Sequence, residues 1–483
     1  MKKTNLLLLD VRRNKFFRIF LALSKIKQRQ FKLFLRKQMP EKSNLHLFIE
    51  ALEERNIFIH DNMLDKGELF NKISDKATYD DAIIRQCFFE LNQVLETFLL
   101  IEHHRKEHQY FTFIEIFNDL GLEKEVSDTI IDVERLLEGK PKDVTMLKQR
   151  YNLLQYKNEL DLQKGKRDDG SISKQMMDTL DELYFSQKLR LSCILLNNKN
   201  IWAQEKEITL INEIVHIVSV SGDFNNPYIA LYLNVYQLLT LSQPDNLLEQ
   251  SERIILENKD VMDAKSLREI FIILQNFCIR KLKEGDVYFE QKLFDIYKRQ
   301  IELGLIAEKY IVSPWTYKNI ITISFRLKEY EWAKFFMTTY KDFLPEGERE
   351  NAYNYNLANY YFRTGNYGKS MRLLQQLEFT DLFYKLGSKL ILLKIYFVLN
   401  EEEAFENHCV SFKSFLTREK KLNIEQRRPY LNQIKFSNLI FQNRHHKRNL
   451  KLIEQKIQKN TAVADIHWLI EQINIRKNIT KNG

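Results

Sequence analysis

Residues that let a chain reverse direction are scarce here: 13 glycines and 7 prolines in 483 residues, about 4% together against roughly 12% in an average protein. That shortage constrains the fold more than any other property. A β-sandwich or barrel needs a turn every ~8–12 residues, built from Gly, Pro and Asn-Gly pairs. A Rossmann-type fold needs Gly-rich phosphate loops. Neither can be assembled from these residues, whereas long helices joined by short loops can. With 44% apolar residues there is material for large cores, and the length allows two to four domains of ordinary size.

The apolar periodicity agrees. Behind Asn44, a natural N-cap, Leu45, Phe48, Ile49 and Leu52 share one helical face. Tyr79–Glu102 is longer, with Ile83, Ile84, Cys87, Phe88, Leu91, Val94, Leu95, Phe98 and Leu99 recurring at three and four. Phe111–Phe117 and Val126–Leu137 continue the pattern up to Lys140-Pro141, the first break. Residues 143–198 read as two long helices around the polar stretch GKRDDGSISK (165–174), and 200–305 as four or five more. The expected organisation is an N-terminal helical domain with a basic first helix (1–140), a long hairpin with degenerate helix pairs (141–305), repeats (306–417) and a basic helical cap (418–483).

From residue 313 the pattern becomes regular. NYNLANYYFRTGNYGKSMRLLQQL (354–377) has Leu357, Ala358 and Tyr361, a turn at Gly365, then Ser370, Leu374 and Leu377. In YKNIITISFRLKEYEWAKFFMTTYKDFLP (317–345), Ile320 and Ile321 precede a turn at Lys328, then Ala333, Met337, Tyr340 and Pro345. LLKIYFVLNEEEAFENHCVSFKSFL (392–416) repeats this around Asn400, with Phe405 where a small residue is expected. These segments resemble tetratricopeptide repeats, in which a small residue sits where two helices cross. Ala333, Ala358 and Ser370 fall there, and Pro345 falls on the family's closing proline. The turns Pro244, Gly285, Lys328, Gly365 and Asn400 are spaced by 41, 43, 37 and 35, against a period of about 34. The stretches SPWTYKNI, ENAYNYNLANYYF and LLQQLEFTDLFYKL further resemble an uncharacterised family of large bacterial helical-repeat proteins, which implies fold and compartment but no chemistry. The expected fold is all-α, a right-handed α-solenoid of antiparallel helix pairs, tetratricopeptide-like in its C-terminal half.

Cys87, Cys193, Cys278 and Cys409 lie 85 to 131 residues apart in apolar contexts, the pattern of buried free thiols rather than of disulfides or a zinc site. The opening MKKTNLLLLD loses its apolar run at Asp10, short of a signal sequence. No stretch of about 18 apolar residues follows. A cytoplasmic location is expected.

The net charge of +9 is unevenly spread. Residues 1–42 carry 13 basic and 2 acidic side chains, and residues 413–459 carry 13 and 3, so the stretch between them, 43–412, is net −13. On one continuous helix, Arg18, Lys25, Arg29, Lys32 and Arg36 fall within roughly 60° of arc, opposite Phe16, Phe20, Leu23, Phe31 and Phe34, with Lys27 intruding on the apolar side. Arg427, Arg428, Arg444, Lys447 and Arg448 make the second basic cluster. Each cluster reads as a solvated cap on an array or as a contact surface for an acidic protein or nucleic acid.

Catalytic motifs are missing: GxSxG, Walker and GxGxxG sequences do not occur. His104 and His108 share a helix face, but HRKEH places its Glu wrongly for a zincin and no third ligand is apparent. His408-Cys409 has no orienting partner for a nucleophile. No catalytic residue, metal or cofactor is assigned. The expected function is a non-catalytic protein-interaction scaffold or adaptor holding a partner peptide or helix in a solenoid groove. The alternative is a nucleic-acid-associated regulator acting through the basic ends.

Overall fold

The computed structural model describes residues 8–10, 13–38, 44–54, 63–74, 78–107, 109–166, 169–198, 207–221, 226–241, 246–376, 381–460 and 462–479. The fold is all-α. Among the described residues the β structure is a short antiparallel pair, Leu8–Asp10 against Met63–Asp65 with Leu8 opposite Asp65, and an isolated bridge between Glu308 and Ile311. Three residues per strand are too few to leave an alternating sequence pattern. Two compact units result: residues 1–140 with 145–180, and residues 141–144 with 181–483.

The first unit contains α1 (Lys15–Ala22), α2 (Lys25–Gln38), α3 (Asn44–Glu54), α4 (Lys66–Ile73), α5 (Asp81–Glu107), α6 (Gln109–Asp119), α7 (Glu123–Leu137), most of α8 (Val144–Gln163) and the start of α9 (Ser171–Asn197). The spine is α5, on which α1, α2, α3 and α4 all pack. Its Ile84, Cys87, Phe88, Leu91, Leu95 and Phe98 are buried, at the spacing that puts them on one side of a helix. Aromatic rings fill the space between: Phe48 meets Phe88 edge-on at 5.0 Å and Phe31 meets Phe98 edge-on at 5.5 Å, a favoured arrangement of ring quadrupoles. The polar stretch 165–174 separates α8 from α9.

The second unit holds the rest of α9, then α10 (Ile211–Ser221), α11 (Pro227–Thr240), α12 (Leu247–Asn258), α13 (Ala264–Lys283), α14 (Tyr288–Glu302), α15 (Pro314–Arg326), α16 (Tyr330–Tyr340), α17 (Glu346–Arg363), α18 (Tyr367–Gln376), α19 (Leu382–Leu399), α20 (Glu402–Arg418), α21 (Ile424–Gln442), α22 (Lys447–Gln458) and α23 (Ile466–Ile479). Helices pair with their sequence neighbours from α11/α12 to α19/α20, and α15, α17, α19, α21 and α23 each touch the next in that series. Each pair therefore packs on the following one, which is solenoid packing. One apolar cluster runs through the unit from Phe185 to Ile473.

The repeat turns share one device. Gly285, Lys328, Gly365 and Asn400 all have positive φ, at 99°, 62°, 78° and 61°. At Gly365 the amide bonds to the Phe362 carbonyl and the Asn366 amide to the Tyr361 carbonyl. The same two bonds recur at Gly285, Lys328 and Asn400. This is the Schellman closure, which satisfies the last carbonyls of a helix. Pro244 lies outside the described residues.

The small residues of the repeats are where the helices meet. Ala333, Ala358 and Ser370 are fully buried, and the Ser370 hydroxyl donates to the Ala358 carbonyl at 2.7 Å. Phe405, the large residue at a small-residue position, is accommodated by stacking on Phe441 at 4.6 Å and meeting Phe397 edge-on. Each pair from α11 to α20 carries a polar tie of this kind. Asn234 donates to the Leu247 carbonyl, Gln275 to the Gln300 side chain, Tyr317 to the Met337 carbonyl, and His408 Nε2 to the Lys389 carbonyl. A buried donor without an acceptor costs about 1–3 kcal/mol, so these ties discriminate against sliding one helix along its partner.

Candidate functional site

The N-terminal basic run is two helices, not one. The first ends at Ala22, Leu23 turns extended with ψ 148°, and the second starts at Lys25. Local hydrogen bonds make the break. Ser24 Oγ accepts from the Lys27 amide, and the buried Gln28 side chain donates to the Phe20 and Leu23 carbonyls at 3.1 and 2.9 Å. Arg18 thus belongs to α1, while Lys25, Arg29, Lys32 and Arg36 belong to α2. Within α2 their spacing still makes one face. Arg18, Lys25, Arg29 and Arg36 are exposed and Lys32 is half-buried, while Phe16, Phe20 and Phe31 are buried as the apolar stripe requires.

The C-terminal basic cluster splits differently. Arg428, Lys447 and Arg448 are exposed. Arg427 and Arg444 are turned inward. Arg427 donates to the Glu419 carbonyl at 2.8 Å. Arg444 donates to the Phe441 carbonyl at 3.0 Å and to Glu402 at 3.1 Å, with its guanidinium 4.5 Å above the Phe441 ring.

The His104 side chain and all of His108 lie outside the described residues, among which no metal-holding group of His, Cys, Asp and Glu occurs. His408 gives its Nε2 to a backbone carbonyl, and burial pushes the Cys409 thiol up to about 11. That geometry offers no activated thiolate. All four cysteines are free and buried. Among the described residues, no helix is long and apolar enough to cross a membrane.

The second unit contains a pocket that the sequence did not reveal, with a volume of about 560 Å³. Its wall is drawn from helix ends along the array: Tyr330 from α16, Phe362 and Arg363 closing α17, Tyr367 opening α18, Val398 near the end of α19, Arg444 and His445 after α21, and Trp468, Glu471 and Arg476 from α23. Behind it lies a buried ion pair. Lys394, only 4% exposed in the side chain, is paired with Asp465. The Asp465 carboxylate also accepts from the Trp468 amide, while Gln433 accepts from the Asp465 amide. Burial by itself would raise the Asp465 pKa, but Lys394, Arg363 and the Trp468 amide outweigh it and hold the carboxyl at about 2. Burial pushes the other way at Lys394, lowering its pKa against the pull of Asp465.

Arg363 is left partly uncompensated. It approaches Asp465 only to 3.7 Å, beyond a hydrogen bond, and its Nε is out of solvent without a hydrogen-bond partner. Arg476 lies 4.2 Å from the centre of the Phe397 ring and donates to Gln472 Oε1 at 3.0 Å. Burial, and then the charge of Arg444, push its pKa down to about 10. Among the described residues of the lining, Glu471 is the sole carboxylate, against three guanidiniums.

No family model, curated protein or solved structure matches this chain. The pocket is thus read from its own chemistry. Arg363 and Arg476 are 113 positions apart in the sequence, and no local spacing could have joined them. Lys394 did leave a signal: it is the single charge inside the apolar run ILLKIYFVL.

Proposed function

We propose that the chain is a non-catalytic interaction scaffold that holds a segment of a partner protein against its solenoid. The observation that carries this reading is the pocket. It is walled by the ends of successive helix pairs and combines aromatic faces with a few polar groups, the usual make-up of a site that orients a ligand. Repeated pairs supply a rigid frame for such a site, since each packs on its neighbours. Tyr367, half-buried in the wall, gives the test. With a photo-cross-linking phenylalanine at position 367 of the full chain, irradiation of the native cells is expected to trap one protein species. Trapping of none, or of the same set from the exposed Leu100 in the first unit, counts against the scaffold.

A second reading, contact with nucleic acid through the basic ends, is supported by the exposure of Arg18, Lys25, Arg29 and Arg36 on α1 and α2 and of Arg428, Lys447 and Arg448 near the C-terminus.

A further inference from the structure

Among the described residues that line one pocket of about 560 Å³ are three arginines, Arg363, Arg444 and Arg476, and a single acidic residue, the exposed Glu471. Some arginines of the second unit are matched to carboxylates at close range, Arg190 with Glu269 at 2.6 Å and Arg326 with Glu290 at 3.2 Å among them, whereas Arg349 reaches Asp342 only at 3.8 Å. Arg363, too, lacks a close match. The nearest carboxylate, Asp465, is taken by Lys394, and Arg363 reaches it only at 3.7 Å. Like charges brought together out of bulk water repel more strongly than in water. Arg476 has its pKa lowered mainly by burial, with the nearby charge of Arg444 adding a smaller push in the same direction. The array tolerates here a cluster of positive charge that a bound anion would relieve.

The chemistry of the wall narrows the anion. Three guanidiniums against one carboxylate make a lining of formal charge +2, and because Arg444 is already paired with Glu402 at 3.1 Å, the charge open to a ligand rests on Arg363 and Arg476. A carboxylate brings one negative charge and two oxygens. A phosphate monoester brings about −1.5 to −2 and three acceptor oxygens, enough to engage more than one planar guanidinium fork. Beside the arginines stand Tyr330, Phe362 and Tyr367, faces for an aromatic or apolar stem. The volume lies within the range of small-ligand sites, roughly 300–1,000 Å³. We infer that this pocket binds a phosphate monoester on an aromatic or apolar stem, with Arg363 and Arg476 as its principal anchors. The inference deepens the scaffold reading at one pocket and rests on it for the pocket's being a ligand site. It is tested with small probes and no partner, so either can fail while the other stands.

The experiment is calorimetric titration of the full chain with phenyl phosphate, and with phenylacetate as a singly charged comparison. One saturable site is expected, with phenyl phosphate the tighter ligand by about ten-fold or more. Arg363→Gln and Arg476→Gln should each weaken phenyl phosphate by about ten-fold, the effect of losing a hydrogen bond to a charged group. Arg253→Gln, at an exposed arginine of α12 outside the pocket, should leave it unchanged. Affinity should fall as pH drops through about 6, where the phosphate loses its second charge. Where a glutamine variant loses its helical circular dichroism, Arg363→Lys replaces it. That variant keeps the charge but not the fork, and several-fold weakening is expected. Absence of saturable binding at millimolar ligand, equal or better binding of phenylacetate, or unchanged affinity in the pocket variants each overturns the inference. A phosphotyrosine tripeptide and adenosine monophosphate then separate a protein-borne phosphate from a free metabolite. Tighter binding of either supports the site and names its source, and failure of both to bind overturns it.

Discussion

At the scale of single residues, the four repeat turns are a natural comparison set. The same closure is made by two glycines, Gly285 and Gly365, and by two residues with side chains, Lys328 and Asn400. A side chain in the left-handed region is disfavoured by about 1 kcal/mol, and Asn tolerates it best. Lys328→Gly is therefore expected to stabilise the second unit by about 1 kcal/mol, and Gly365→Ala to destabilise it by a similar amount, both read as shifts in urea midpoint. The positions of these turns were legible in the sequence although two of them carry neither Gly nor Pro, because the apolar rhythm on either side breaks there. The small residues Ala358 and Ser370 were legible too. That one donates to the other's carbonyl was not, because a hydroxyl at a crossing looks the same in sequence whether it bonds or only fits.

At the scale of elements, the polar ties between paired helices give a pH dependence. His408 of α20 holds the Lys389 carbonyl of α19, and its imidazole is driven towards the neutral form by burial, and also by the charge of Lys389. Its folded pKa is thus below the unfolded value of about 6.5. Between those two values the unfolded chain binds more protons than the fold. This contribution to stability is fully present above about pH 6.5 and is lost as pH falls through that range. His408→Gln should lower the melting temperature at pH 7.5. The gap between variant and wild type should narrow at pH 5.5, and a constant gap would remove the titration argument. Helix boundaries were the most legible feature at this scale, with the long helices α5, α8 and α9 falling close to their expected spans. The break between α1 and α2 was not foreseen. Helical periodicity runs straight through Leu23-Ser24, and the Ser24 hydroxyl bound by the Lys27 amide, with the Gln28 side chain folded back onto two carbonyls, shows why the chain turns there.

At the scale of the whole molecule, charge segregation is the property that can be measured without knowing a partner. Basic side chains concentrate in residues 1–42 and 413–459, and much of the cationic surface of α1 and α2 faces solvent. If that surface meets nucleic acid, affinity for a generic duplex should fall steeply between about 50 and 200 mM salt, as counterion release requires. Arg29→Glu with Arg36→Glu should then reduce both the affinity and the salt slope. A flat salt response, or binding untouched by the double variant, assigns these residues to solvation of the first unit. The candidate pocket was the least legible part of the molecule, since its wall is collected from residues 330 to 476 and exists only once the helix pairs have stacked.

The same stacking has a mechanical consequence. Pulled from its ends, an array held by neighbour contacts should give way pair by pair, each step releasing roughly 35–40 residues, or about 130 Å of chain. The ion pair between Lys394 in α19 and Asp465, just before α23, ties α23 to a helix four earlier. Tension applied at the C-terminus meets that clasp before it can peel the repeats behind it.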